Sequence, residues 1–260
     1  MKVVILAGGF GTRIKDVDEN VPKPMLKIGN YPIIWHIMKY FSSFGFNEFI
    51  LCLGFKGNVI RDFFYNYHLY VNDVTLKLGD KASLDKLYNK VKENWEITLV
   101  DTGIDNMTGS RISQIREYIK DENFFITYGD GVGNIDLKLL TQFHKKHKKI
   151  LTVTGVRPPG RFGEIRSSNN IITEFNEKPQ TTSGRISGGY FVANKKLFDF
   201  LDNDNNLVFE DKPINELVFQ KQLMVFNHDG FWHPMDTRRE HQILNDLYSR
   251  KKAPWVKWKY

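Results

Sequence analysis

The sequence predicts an α/β protein built on a doubly wound, mostly parallel sheet, and three observations carry that expectation. Val3 to Leu6 and Phe124 to Ile126 are short continuous apolar runs, as strands are when both faces of a sheet are covered. Segments with apolar residues at helical spacing alternate with such runs, which is the rhythm of β-α-β units. Turn residues then follow the runs: Gly8, Gly9 and Gly11 after the first, and Asp130 between Gly129 and Gly131 after a later one. In an open parallel sheet these strand exits line one crevice, so the glycine loop and Asp130 are expected at one carboxyl edge.

The elements follow in order. Val3 to Leu6 open the chain as a central strand, Ile33 to Phe44 read as a helix, and Phe49 to Leu53 as the next strand. Gly57 to Asn66 form a helix with Val59, Ile60, Phe63 and Phe64 on one face, and alternation marks Val74 to Leu78 as a strand. Ile97 to Val100 and Phe124 to Thr127 are strands separated by a helix from Arg111 to Ile119. A helix over Leu137 to His147 follows, then a strand over Ile171 to Phe175 and another opened by Gly188-Gly189. Arg239 to Ser249 form the closing helix, which Asp236 or Thr237 would cap.

With 260 residues and 41% hydrophobic content, the chain can bury the core of one large domain, with or without a small C-terminal lobe. No repeat, low-complexity tract or bilayer-length apolar stretch is present, and glycines interrupt the N-terminal strand where a signal peptide would be apolar. A soluble, cytoplasmic protein without membrane partners is expected. Cys52 is the only cysteine, which excludes intrachain disulfides and cysteine-rich metal sites, and within Ile50-Leu51-Cys52-Leu53 it reads as a core residue. The net charge of +7 raises the question of nucleic acid. Lys145 to Lys149 sit at a helix end, where cations are favoured, Arg250-Lys251-Lys252 repeat that arrangement, and no aromatics interleave with either cluster. No nucleic-acid partner is expected, and the charge reads as attraction for polyanionic small substrates.

The chemistry is concentrated near the start of the chain. After Val3 to Leu6, Gly8, Gly9 and Gly11 let the backbone turn tightly and present bare N–H groups to an anion, and Arg13 and Lys23 add fixed positive charge. The spacing matches neither the P-loop nor the dinucleotide G-x-G-x-x-G pattern. A glycine loop alone also serves as an ordinary strand exit; Thr12-Arg13 and Pro22-Lys23-Pro24 turn this one into a grip for a nucleoside triphosphate. Asp130, flanked by glycines at a strand exit, is the candidate ligand of a hydrated Mg²⁺ bridging phosphates, with a plain turn aspartate as its rival. Neither a G-x-S-x-G elbow nor a Ser-His-Asp context is present, so no covalent protein intermediate is indicated. His36, His144, His147, His228 and His233 have no evident proton to move and read as structural.

These blocks resemble the sugar-phosphate nucleotidyltransferases, in the glucose-1-phosphate cytidylyltransferase branch. The resemblance extends through Ile33 to Met38, Leu99 to Gly103, Met107 to Gly109, Thr127 to Gly131, Arg157 to Gly163, Glu177 to Pro179, Gly188 to Val192 and Gly230 to Thr237, nearly the whole chain. It implies a Rossmann-like nucleotidyltransferase fold with a small C-terminal acceptor-side lobe. Within a single domain, about residues 1–150 would hold the nucleotide and about 151–260 the acceptor. It also implies transfer of CMP from CTP to a phosphorylated small-molecule acceptor with Mg²⁺, release of pyrophosphate, a CDP-sugar product serving polysaccharide biosynthesis, and a homo-oligomer. The implied nucleotide-binding residues are Leu6, Ala7, Gly8, Gly9, Gly11, Thr12, Arg13, Lys23, Thr108, Arg111 and Asp130. Tyr128, Gly163, Glu177, Lys178, Arg185, Ser187 and Gly188 fall on the acceptor side, with Lys178 on the phosphate and Glu177 on hydroxyls. Arg13, Lys23 and Lys178 would be the catalytic cations, and Asp130 and Asp236 the metal ligands.

Two departures bear on the acceptor. Ser187 stands where the branch has an asparagine serving sugar hydroxyls, and Arg185 where it has an apolar residue. Arg185 is either a solvent-facing loop residue or the receptor of a carboxylate, which keeps another sugar phosphate, or a phosphorylated amino acid or amide such as glutamine phosphate, open as acceptor. A nucleotide-sugar glycosyltransferase and a catalytically silent nucleotide-binding homologue are the readings from other classes. The former has little use for Arg13 and Lys23, and the latter little use for both aspartates.

Overall fold

The computed structural model describes residues 1–14, 17–77, 83–88, 93–158, 164–168, 171–176 and 184–259. In chain order it forms β1 (Val3–Leu6), β2 (Lys27–Ile28), β3 (Tyr31–Pro32), α1 (Ile33–Ser42), β4 (Glu48–Leu53), α2 (Gly57–Tyr65), α3 (Tyr67–Val71), β5 (Asp73–Lys77), β6 (Ser83–Tyr88) and β7 (Glu96–Asp101). The chain continues through α4 (Thr108–Gln114), β8 (Asn123–Tyr128), β9 (Gly131–Gly133), α5 (Leu137–His147), β10 (Leu151–Val156), β11 (Glu164–Ser168) and β12 (Ile171–Asn176). It ends with β13 (Ile186–Asn194), α6 (Lys212–Phe219), β14 (Leu223–His228), β15 (Trp232–Pro234) and α7 (Arg238–Ser249).

Seven strands form the central sheet in the order β14-β10-β13-β8-β1-β4-β7. Only β13 runs antiparallel to its neighbours, so the sheet is mostly parallel as expected. Successive side chains of a strand face opposite ways, and β1 shows the result: Val3 and Ile5 join one buried cluster, Val4 and Leu6 another. Ile37 of α1, Ile60 of α2, Leu140 of α5 and Leu244 of α7 cover the first face. Ile112 of α4 and Leu217 of α6 cover the second. With both faces of β1 buried, its four residues must all be apolar. Cys52 lies wholly inside, and burial pushes its thiol up to about 12, consistent with a packing role.

Some boundaries differ from the sequence reading for physical reasons. The helix expected over Arg111 to Ile119 begins earlier, at Thr108, and gives way to a separate 3₁₀ turn over Arg116–Tyr118. Its N-cap residue, Met107, supplies no capping side chain; the N–H groups of Gly109 and Ser110 instead donate to Leu207 O at 2.8 and 3.2 Å, a partner about a hundred residues away. Leu78, the last residue of the strand expected from Val74, lies outside the described residues. Past residue 150, β10, β13 and β14 extend the central sheet while β11 and β12 pair apart from it, and β13 enters from the carboxyl edge because it runs the other way. That reversal brings Ser187 and Gly188, at the start of β13, to the edge where β1 and β8 end.

Two histidines are buried as neutral rings. His36 Nε2 donates to Ile28 O at 2.8 Å while its Nδ1 accepts from Trp255 Nε1 at 3.4 Å; burial lowers its pKa to about 4. His144 lies within hydrogen-bonding distance of Thr152 Oγ1 and Asn123 Oδ1, and burial likewise lowers it to about 4. Both folded values are below the ordinary value of 6.5, so unfolding is favoured once the unfolded chain takes up protons that the native rings refuse. Stability should be level above pH 7 and decline between pH 6.5 and 4, by roughly 3 kcal/mol for each ring at most. Urea unfolding midpoints across that range check this, and the slope should flatten in a His36→Gln variant.

Candidate active site

The loop leaving β1 is held from beneath by one side chain. Arg111, on α4 and 4% exposed, donates from Nη1 to Leu53 O (3.1 Å), Thr102 Oγ1 (2.8 Å) and Gly103 O (2.7 Å). Its Nη2 donates to Gly8 O and Ile104 O at 3.1 and 3.0 Å. A single guanidinium therefore ties together the exits of β1, β4 and β7. Burial lowers its pKa below the ordinary arginine value, which still leaves it charged at neutral pH. A Cβ at Gly8 would stand 2.2 Å from Arg111 Nη1, so glycine is required there for close approach.

The second feature is an ammonium between two carboxylates. Gly11 has φ +59°, and a Cβ on it would touch Lys23 Cβ at 3.0 Å, so the glycine loop packs directly on the Lys23–Met25 turn. Lys23, 9% exposed, extends from that turn and donates through Nζ to Asp130 Oδ2 at 2.6 Å and to Asp236 Oδ1. Burial works against its charge, but Asp130 and Asp236 outweigh burial and raise its pKa above the ordinary lysine value. The two aspartates meet because β9 pairs with β15, Pro234 opposite Gly131, and Met235 N donates to Asp130 O at 2.8 Å. Asp236 is not the cap of α7. Thr237 Oγ1 accepts from Glu240 N, and the Glu240 carboxylate accepts from the Asp236 and Thr237 N–H groups, a full capping box that leaves the Asp236 carboxylate to Lys23.

A cavity of about 590 Å³ opens above the glycine loop. Leu6, Ala7, Gly8, Gly9, Gly11, Thr12, Lys23, Thr108, Arg111 and Asp130 are among the residues that line it. The side chain of Arg13 lies outside the description. A smaller cavity of about 70 Å³ adjoins it, lined by Ser187, Gly188 and Trp232 among others, and Tyr128 and Asp130 line both. The Tyr128 ring rests on the backbone of Gly189, where φ is +71° and a Cβ would come within 2.5 Å of Cδ2. Trp232 Nε1 donates to Gly188 O at 2.7 Å and fixes that strand start.

The chain matches the nucleotidyl transferase family over residues 2–236. It belongs to that family. Glucose-1-phosphate cytidylyltransferases of Salmonella typhi and Salmonella typhimurium are each 46% identical to it over 259 residues, which cover 99% of this chain and 100% of theirs. The inositol-1-phosphate CTP transferase of T. maritima has the same fold, with a TM-score of 0.67 and 15% identity across 96% of both chains. This nucleotidyltransferase is therefore an enzyme of the phosphoryl-transfer class, and its family generally works with a divalent metal. The residues present fit such an ion: two hard carboxylates converge on one cationic point, the donor set by which Mg²⁺ is held together with substrate phosphates and water. Among the described residues no cluster of three or more metal-ligating side chains occurs.

The acceptor side of the nucleotidyltransferase shows one departure from expectation. Arg185 does not stand ready for a carboxylate. Its Nη1 donates to Gly155 O (3.2 Å) and His228 O (3.0 Å), and its Nη2 to Asp229 Oδ1 (2.7 Å), which also accepts from Arg157 Nε at 2.9 Å. The paired guanidiniums hold the Asp229 carboxyl below its usual range. Arg185 is absent from the described lining of the small cavity. The missing signal was its partner, Asp229, which lies 44 residues away. Ser187 does line that cavity, with its Oγ accepting from Gly189 N at 3.3 Å. Gly163, Glu177 and Lys178 lie outside the described residues. Sequence reasoning passed over Glu210, which accepts from both Thr108 and Tyr128, because a glutamate ahead of Asp211-Lys212-Pro213 looks like any exposed charged loop.

A Gly8→Ala substitution should displace the Arg111 guanidinium and cost about 1 to 3 kcal/mol in stability. Thermal unfolding should show a lower midpoint, and calorimetric titration with CTP should show weakened binding. An unchanged midpoint would mean that Arg111 moves aside without loss.

Proposed function

We propose that this nucleotidyltransferase transfers CMP from CTP to glucose 1-phosphate, forming CDP-glucose and releasing pyrophosphate. The carrying observation is the pair of adjoining cavities that share Tyr128 and Asp130, with Lys23 between Asp130 and Asp236 at their junction. The large cavity has room for a nucleotide, the small one adjoins it on the side of β13, and the shared wall is where two phosphates would meet. The 46% identity over the full chain to Salmonella glucose-1-phosphate cytidylyltransferases supports these substrates. The engagement of Arg185 by Asp229 removes the reason to require an anionic group on the acceptor beyond its phosphate. About residues 1–150 would then serve the nucleotide and 151–260 the acceptor, since β13 and β15 both supply the small cavity.

In this reading an oxygen of the acceptor phosphate attacks the α-phosphorus of CTP, the bond to the bridging oxygen breaks, and pyrophosphate leaves with the electron pair. No proton has to be moved, which agrees with the buried, neutral His36 and His144. The protein's task is to align two anions and offset their repulsion. The backbone of Gly8, Gly9 and Gly11 faces the phosphates, with Arg13 and Lys23 as counter-charges. Asp130 and Asp236 would hold a magnesium ion, which neutralises triphosphate charge when bound. Lys23, held beside both aspartates, would meet the phosphate oxygens of a bound triphosphate. Lys178 and Glu177 take the acceptor's phosphate and hydroxyls. A cytoplasmic location and a homo-oligomer belong to the same reading. No helix among the described residues is long and apolar enough to cross a membrane.

Pyrophosphate release measured with the four ribonucleoside triphosphates should show CTP preferred and Mg²⁺ required. Equal rates with UTP and CTP would remove the assignment of CTP, and a nucleoside diphosphate as product would point to glycosyl transfer instead.

The two lysines should divide the labour. Lys23→Ala should weaken use of CTP and Lys178→Ala use of glucose 1-phosphate, each by about 1.5 to 3 kcal/mol in transition-state stabilisation. If both variants change only the apparent affinity for CTP, Lys178 is misassigned.

A further inference from the structure

The segment from Asn205 to Glu210 lies across the first turn of α4. Met107 N donates to Asn205 O at 2.9 Å, Gly109 N to Leu207 O at 2.8 Å, and Phe209 N to Thr108 Oγ1 at 2.9 Å. Leu207 and Phe209 are buried, at 5% and 0% exposure, and anchor the segment in the second core cluster. Glu210 follows them outward. Its Oε2 accepts from Thr108 Oγ1 at 2.6 Å and its Oε1 accepts from the Tyr128 hydroxyl. The Thr108 hydroxyl already accepts from the Phe209 N–H, so its single proton is committed to the carboxylate.

One carboxylate thus binds two hydroxyls that belong to different parts of the site. Thr108 lines the large cavity, whereas Tyr128 lines both cavities. Glu210 is itself exposed and meets the two cavities through these two side chains. Tyr128 has its ring against Gly189 and its hydroxyl on Glu210, which fixes both ends of the side chain. The carboxylate thus joins Thr108 and Tyr128 and favours one χ1 rotamer of each.

We propose that Glu210 is a positioning residue that sets Thr108 for the nucleotide and Tyr128 for the acceptor at once, an inference that rests on the two-cavity reading of the site. Removing the carboxylate releases both hydroxyls, and the loss should appear in the binding of both substrates. Restoring a hydrogen-bonding group of the same length should restore part of each.

The test uses the full chain and the variants Glu210→Ala, Glu210→Gln, Thr108→Val and Tyr128→Phe. CTP affinity is read by calorimetry without acceptor, and the acceptor KM and kcat by pyrophosphate release with glucose 1-phosphate. Glu210→Ala should weaken CTP binding and raise the acceptor KM, each by about three- to tenfold, with kcat changed less, the scale of one lost hydrogen bond at each end. Thr108→Val should reproduce the first effect and Tyr128→Phe the second, and Glu210→Gln should recover part of both. In a Tyr128→Phe background, Glu210→Ala should add nothing to the acceptor KM. The inference is overturned if Glu210→Ala leaves both quantities within twofold, or if it raises the acceptor KM by the same factor with and without the tyrosine hydroxyl. A merely structural role would lower the melting temperature and the active fraction without moving either affinity. If the unaltered protein fails to turn over glucose 1-phosphate, the proposed reaction falls, while the calorimetric comparison of Glu210→Ala with Thr108→Val still decides the role of Glu210.

Discussion

The ammonium of Lys23 between the carboxylates of Asp130 and Asp236 is the contact on which the arrangement of the site depends. Two carboxylates brought together without a cation repel each other, and a lysine buried without a partner loses its charge. Lys23 is the buried member of the three, and the two partly exposed aspartates let it keep its charge there while it offsets their repulsion. This mutual requirement recruits three separate parts of the chain: the turn after the glycine loop, the exit of β8, and the segment between β15 and α7. A place that holds one cation between two carboxylates also has the charge and donor set that suit a magnesium ion.

Around that centre, rigidity comes from polar side chains that bind the backbone. Arg111 ties the exits of β1, β4 and β7 through five hydrogen bonds, and the capping box of Thr237 and Glu240 fixes the start of α7 just after Asp236. Preorganised donors and charges stabilise a transition state because they need no reorientation when charge develops. Arg185 belongs with this group. Its hydrogen bonds go to Asp229 and to the carbonyls of Gly155 in β10 and His228 in β14, so the residue that looked most like a specificity switch instead ties the start of β13, which carries Ser187 and Gly188, to those strands.

The antiparallel strand β13 explains how one sheet edge serves two substrates. In an all-parallel sheet the edge presents only strand exits. Here β13 begins at that edge, between the exits of β8 and β10, and places small residues and a positive-φ glycine against Tyr128. The two cavities adjoin because β8 and β13 are neighbours, with Thr127 opposite Tyr190.

By itself the sequence determined whatever rests on adjacent residues. The apolar run of β1, the glycine loop after it, the helix over Leu137–His147 and the strands around Phe49 and Phe124 were legible because burial on both faces, turn geometry and helical periodicity act over a few residues. The resemblance in the glycine loop and around Asp130 and Asp236 identified the candidate metal ligands and the Lys23 cation. Only the tertiary structure decided which of these groups meet. Lys23 reaches partners 107 and 213 residues away, Arg185 finds Asp229 44 residues on, and Glu210 joins Thr108 and Tyr128 across 102 and 82 residues. A charged side chain looks the same in sequence whether it faces solvent, backbone or substrate. What distinguishes those states is the partner that folding brings to within hydrogen-bonding distance, and long-range pairing of strands supplies it.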